Sequence, residues 1–477
     1  MFRRILFLSG VVCLAFVLVC SKEDNPTDYT KISNIEFSRH VQPLLNANCT
    51  GCHAGAAPAA GLSLESWSSL IKGSDFGEAV IPFDSENSIM IEMMTKLSGG
   101  VHPTEKGEDA LTSDGIAFLA RWIDQGARND AGDVPYEDSQ NILYVCNQME
   151  AIVSILDVDA KVVIRNVHLT DLGVPANSKP HHIALSPDGQ NWFVSLIDNQ
   201  VNKILKFNMA NELLGEVVTD VPAMLAYHPT DDVLYSSRFM DPQVPLQSIF
   251  ALNANTMAPI NQSGLTDGTI VLPSFVPHAM ALSMTGDKVF TASLSENTVM
   301  IVDHATKSYE ESIPLGDGKT PLQLSISPDN STIFVSCIGS DEIAVIDVAA
   351  RQVVDLIPVG GVQPWHSVSS SDGSKLYAGN LGSNNFTVVD VQTRTAQVFG
   401  AGDGSDGLAQ SHGIALSKDG QVLFIANRNV SGAYVPRHNF GDNSNVGTVV
   451  VVNTASNQVV KTIEVENFAS GMAIRSN

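Results

Sequence analysis

Cys49-Thr50-Gly51-Cys52-His53 sets two thiols three positions apart and an imidazole directly behind the second. These residue types at this spacing suit covalent haem attachment. Each thiol can add to a haem vinyl group, and the imidazole of His53 can ligate the iron. The competing chemistry is a zinc-binding or redox Cys-x-x-Cys pair. With six cysteines and twelve histidines in 477 residues, such a cluster rarely arises by chance.

The elements around this motif are those a small haem domain needs. Phe37, Val41, Leu44 and Leu45 fall at helical spacing, which predicts a helix over 37–46 running into Cys49. A second helix is expected to start at Thr112 or Ser113, an N-cap pair, and to carry Ile116, Leu119, Trp122 and Ile123 on one face. Gly126 should end it. The all-α unit spans 32–130, with a linker over 21–31. His40 is expected to face solvent on the first helix.

This segment resembles the cytochrome c domain common in planctomycete and Bacteroidetes multidomain proteins. The resemblance rests on Cys49-x-x-Cys52-His53, Gly61-Leu62-Ser63-Leu64, Ser88 and the Trp122-Ile123-Asp124-Gln125-Gly126-Ala127 ending. It implies one haem c, with His53 as proximal ligand. The family usually places a distal methionine just before a proline, and this chain has Val101-His102-Pro103 there. His102 is therefore the leading distal ligand, with Met90, Met93 and Met94 as rivals. Imidazole in place of a thioether favours ferric iron, so a low-potential bis-histidine haem is expected.

The chain opens Met1-Phe2-Arg3-Arg4 and then runs apolar to Val19, the pattern of a secretory signal over 1–20. An uncleaved anchor helix is the alternative. Cys20 closes the apolar run and Ser21-Lys22-Glu23-Asp24 follows, which resembles a bacterial lipoprotein signal with Cys20 lipidated. The expected location is the cell envelope of a Gram-negative bacterium. There the chain would be anchored to the outer membrane, periplasmic or surface-exposed. Fifty-one acidic residues against 27 basic give a net charge of −24, which argues against nucleic-acid partners. Cys146 and Cys337 lie in strand-like runs and read as buried thiols, not as a disulfide framework.

From 140 to 477 the sequence repeats. Each unit is an apolar strand, a Ser-x-Asp-Gly-type turn, a second strand, a polar turn and a Val-x-Val-Val-Asp-type strand. Copies begin at Ile183, Leu225, Met280, Leu324, Ser367 and Ile414, and Met472 starts a lone strand; the starts lie 42 to 58 residues apart. Four strands per unit at this period mean propeller blades. Pairing the last strand with 142–167 closes a seven-bladed ring and leaves no sheet edge open. The fold class is thus multidomain, a small all-α cytochrome c domain followed by an all-β propeller. Leu143-Tyr144-Val145-Cys146-Asn147, 343–348 and 388–391 resemble the YVTN family of propellers. Asp157, Asp303, Asp347 and Asp390 read as turn residues.

Blade alignment puts His181, His278 and His412 at one position and His182 and His366 at the next, with Trp365 sharing the first position. These imidazoles should converge at the channel mouth. Arg238 and Asn380 end second strands on the same face, and the insertion 428–447 should bring Arg437 and His438 above it. A second metal or cofactor, acid–base or anion-binding work, and plain water-filled lining are all compatible with such a mouth.

A cytochrome c joined to a propeller resembles, in architecture only, the cytochrome-type nitrite reductases, which have more blades. The leading expectation is an exported electron-transfer cytochrome with a second redox or substrate site on its propeller. Its partner would be a redox protein or a small-molecule electron donor or acceptor. The alternatives are a non-catalytic binding platform with a haem relay, and a structural surface protein. No phosphate loop, nucleophile elbow or dinucleotide fingerprint is present.

Overall fold

The computed structural model describes residues 28–475 except 108, 199, 240–246, 263–264 and 442. The signal segment and Cys20 lie outside the described residues. Among the described residues, no helix is long and apolar enough to cross a membrane.

The first helix begins with a wide π-turn over Phe37–Val41 and continues as α1 (Gln42–Asn48). Pro43 has no N–H to give the preceding turn, and the widening lies just ahead of it. Helix α2 is Trp67–Ile71 and α3 is Ile89–Thr95. Helix α4 (Ser113–Asp124) is capped by Thr112, whose side chain accepts from the Gly115 N–H, so the expected start holds. Phe118, Leu119, Trp122 and Ile123 of α4 close on Phe37, Val41 and Leu45 as one core. Tyr29, placed in the linker by sequence, stacks against Phe118 at 4.8 Å and belongs to this domain. His40 is half-buried, its Nδ1 accepting from the Glu36 N–H, where solvent exposure was expected.

Seven sheets follow in a ring. The last strand, Ala469–Arg475, pairs with Ile142–Asn147 and so becomes the innermost strand of the first blade. Apolar side chains of neighbouring blades fill the space between sheets, and Cys146 and Cys337 are fully buried among them. The turns repeat one device. Ser186, Ser327, Ser370 and Ser417 each donate to the aspartate two residues on, at 2.6 Å. Asp157, Asp303, Asp347 and Asp390 each accept a backbone N–H three residues on, as turn residues should.

The helical domain docks on the first and last blades. Ile81 enters the propeller core beside Val163 and Val465. Asp84 accepts from Asn166 at 2.9 Å and contacts His168 at 3.0 Å. Arg165 lies 4.0 Å over the ring of Phe83. The insertion 428–447 reaches back across the same seam: Arg437 donates to the Phe76 carbonyl at 2.6 Å, and the Ser98 N–H donates to Asn439. Arg437 and His438 therefore lie against the helical domain and not above the channel, correcting the sequence expectation. The outer strand of the last blade gives them backbone acceptors and a carboxylate to hold, at Thr462 and Glu464.

Candidate functional site: a paired-imidazole site and a buried histidine channel

The first site forms where α1 runs out. Cys49 N–H still bonds to the Leu45 carbonyl, and His53 N–H bonds back to the Cys49 carbonyl at 3.0 Å. One tight turn thus presents both thiols and the imidazole together. Cys49 is half-buried against the helical core and Cys52 is exposed, and both are free thiols. Burial pushes the Cys49 thiol up to about 11.

His102 faces this turn. The His53 and His102 ring centres are 5.9 Å apart. Each ring is held through Nδ1, His53 against the Leu62 carbonyl at 3.3 Å and His102 against Glu105 at 2.6 Å. With Nδ1 so used, Nε2 is the nitrogen through which each ring would ligate a metal. The His102 loop is fixed by its own N–H, which donates to the Met93 carbonyl at 2.8 Å. Met90 and Met94 pack against the helical core. A metal–imidazole bond of about 2 Å puts two axial rings about 6 Å apart, centre to centre. The spacing found here fits one iron between them.

The second site arises from a sevenfold backbone device. Each innermost strand is preceded by one residue in the left-handed region: Lys179, Val221, Val276, Thr320, Gln363, Gln410 and Phe468. For Val221 at φ 34° and Val276 at φ 53° this conformation is strained. Every one of these carbonyls accepts from the residue just past the second strand, a position held by Gln148, Phe239 and Arg428 in three of the blades. A bulge then breaks the pairing within each innermost strand. Bulges re-aim side chains, and here they fall at His181, His278, Trp365-His366 and His412.

The imidazoles converge, as expected, but inside the ring. His412 is 1 % exposed, His278 3 %, and His181 and His366 5 % each; His182 is half-buried. His181 lies 5.8 Å from His278 and 6.2 Å from His412, and His366 lies 4.9 Å from His412. His182 lies 6.4 Å from His366. Arg428 closes the group, its guanidinium 4.8 Å over Trp365 and 4.6 Å over Phe468. Burial holds His182 and His278 down to about 4, and His181, His366 and His412 well below the usual histidine range; nearby histidines lower all but His278 further, and Arg428 lowers all but His182. All five are neutral at pH 7.

Arg238 stays out of this group. It donates to Ser248 and Thr269 of its own blade and to Thr219, which follows the outer strand of the preceding one. Asn380 likewise bonds Asn385 and Thr387. Sequence reading missed Arg428 and Gln148 as channel groups. Their signal was a polar residue at a register that is apolar in the other five blades, Ile197, Phe239, Leu294, Ile338 and Leu381.

Among the described residues, a further group with metal-ligand composition is His228, Asp231 and His304, and its nitrogens are already engaged. His228 bonds Gly286, Thr230 and Asp231, and His304 bonds Tyr235 and Asp231. It serves as a structural clasp between neighbouring blades.

A family model described as planctomycete cytochrome C matches residues 49–101, from the first thiol of the haem motif to the residue before His102. One described as lactonase, seven-bladed β-propeller, matches 218–467, more than half of the chain. The chain belongs to the seven-bladed lactonase propeller family. In this lactonase-family chain the cytochrome C segment is a separate helical domain docked on the ring. No curated protein matches the chain. Among solved structures, the propeller is similar to a functionally unknown protein from Desulfotomaculum acetoxidans DSM 771. That match has 18 % identity and a TM-score of 0.56, covering 70 % of this chain and 99 % of that one. Kuenenia stuttgartiensis hydrazine synthase matches at 18 % identity and a TM-score of 0.48, over 61 % of this chain and 88 % of that one.

Proposed function

We propose that the chain is an exported c-type cytochrome that transfers electrons. In this reading one haem is held covalently by Cys49 and Cys52, its iron lies between His53 and His102, and the buried channel of the propeller is the second site. The observation that carries this is the His53–His102 pair, 5.9 Å apart, with both Nδ1 atoms anchored. A haem bound there supplies one-electron exchange with a redox protein or small-molecule partner. The chain's own groups set its environment. Leu62 and Glu105 orient the two rings, Met93 holds the His102 loop, and α1 and α4 supply the apolar cover. The insertion 428–447 joins the two sites, with Arg428 at the channel and Asn439 bonded to Ser98 of the helical domain. Export and lipidation at Cys20 are supported by the basic start, the apolar run and the cysteine that closes it.

Lactone hydrolysis, which the family description names, would call on the same channel. His278 gives its Nδ1–H to the Leu322 carbonyl at 2.7 Å and so has a basic Nε2. A general base works best with a pKa near the working pH, and burial holds His278 at about 4. That weighs against His278 as the base of such a hydrolysis.

Expression with a c-type maturation system tests the proposal. The expected product carries one haem that survives denaturation, and Cys49→Ala with Cys52→Ala abolishes it. Haem-free protein from such a host would overturn the reading.

A further inference from the structure

The protonation pattern of the channel decides what it can bind. His182 Nδ1 accepts the Leu225 backbone N–H at 3.2 Å, so its proton sits on Nε2. His181 Nδ1 contacts the Gln148 amide nitrogen at 2.5 Å, and an amide nitrogen only donates. His181 therefore also carries its proton on Nε2, and that nitrogen is buried without a partner. A neutral imidazole ligates metal through its bare nitrogen, and in both these residues the bare nitrogen is already used. The two rings offer donors to the channel.

Arg428 adds charge to those donors. Its guanidinium lies between Trp365 and Phe468, its Nε has no partner, and among the described residues no carboxylate offsets its burial. A buried guanidinium without a counter-ion is unfavourable, and a bound anion removes that penalty. A metal cation placed beside Arg428 would raise it. His366 Nε2 and His412 Nδ1 are two further buried nitrogens without partners. A polar group that deep ordinarily has one.

We propose that the channel is a binding site for a small oxyanion, held by the Arg428 guanidinium and the Nε2–H groups of His181 and His182. This deepens the reading of the channel as the second site, and it replaces the second metal by an anionic ligand. Ring centres 4.9 to 6.4 Å apart join the five imidazoles in one cluster.

Calorimetric titration of the full protein, purified from a host with a c-type maturation system, with formate, nitrate and phosphate in separate runs, tests it. At least one should bind with one-to-one stoichiometry. Arg428→Met should weaken binding tenfold or more. His181→Gln, which keeps an N–H donor, should weaken it less than His181→Ala. An unchanged haem spectrum and thermal transition show that each variant has folded. No binding of any of the three, or equal binding by Arg428→Met, overturns the proposal. So does a transition metal bound one-to-one in the purified protein and lost in His181→Ala. The haem spectrum of the same sample separates the readings. Anion binding without haem sinks the cytochrome assignment alone, and haem without anion binding sinks the channel site alone.

Discussion

The Arg437 guanidinium lies 5.4 Å from the ring centre of Phe76 and donates to that residue's carbonyl, so the longest insertion of the propeller holds the helical domain. The same side chain donates to the Thr462 carbonyl at 2.6 Å. Arg437→Ala removes both hydrogen bonds and the ring contact. It should loosen the seam by about 1–2 kcal/mol. Hydrogen exchange should then speed up in 74–84 and 434–440 while the inner strands keep their protection. Equal protection in variant and wild type would mean that the seam does not depend on this contact.

The buried imidazoles make the propeller sensitive to acid. His182 and His278 are held down to about 4, against an ordinary value of 6.5. Between those values the unfolded chain binds protons that the folded chain does not. Their stabilising effect is full above pH 6.5 and is lost as pH falls towards 4. The double variant His182→Gln, His278→Gln should lose less stability between pH 6.5 and 4.5 than the wild type, by roughly 2 kcal/mol or more. Urea unfolding at the two pH values measures this, and parallel losses would count against it.

Glu466 acts in the opposite direction. It lines a cavity of about 430 Å³ between the domains, together with Glu78, Glu92 and Glu464. Burial, then the nearby charges of Asp84, Glu92 and Glu150, push its carboxyl up to about 8. The folded chain holds a proton there that the unfolded chain releases near 4.5, so stability is lost as pH rises from 4.5 through 8. Glu466→Gln should stabilise the protein at pH 8 and leave it little changed at pH 4.5. Thermal melts at the two pH values check the sign.

Glu105 contacts His102 Nδ1 at 2.6 Å. In the proposed haem site a carboxylate there would make the imidazole a stronger donor to ferric iron. Glu105→Gln should therefore raise the midpoint potential of the haem-loaded protein while keeping its low-spin spectrum. An unchanged potential in a redox titration would show that Glu105 only positions the loop.

The ring of blades was legible because strand, Ser-x-Asp turn and strand recur at a near-constant period, and because Met472-Ala473-Ile474 lacks a sheet of its own. The Thr112 cap and the convergence of the five histidines were legible for the same reason, since local pattern and repeat register determine both. The seam between domains was not. Phe83 meeting Arg165, and Asp84 meeting Asn166 and His168, join unlike surfaces once only and leave no periodic mark. Arg437 and His438 were misplaced because the path of an insertion depends on the surface it finds. Arg428 was passed over because its role comes from neighbours on other blades.

The central claim is that His102 stands opposite His53 across a haem iron. The near-infrared spectrum of the oxidised, haem-loaded protein tests it most directly. A low-spin spectrum without a sulfur-to-iron charge-transfer band is expected, with loss of the low-spin form in His102→Ala. A sulfur-to-iron band that disappears on substitution of Met90, Met93 or Met94 would contradict it.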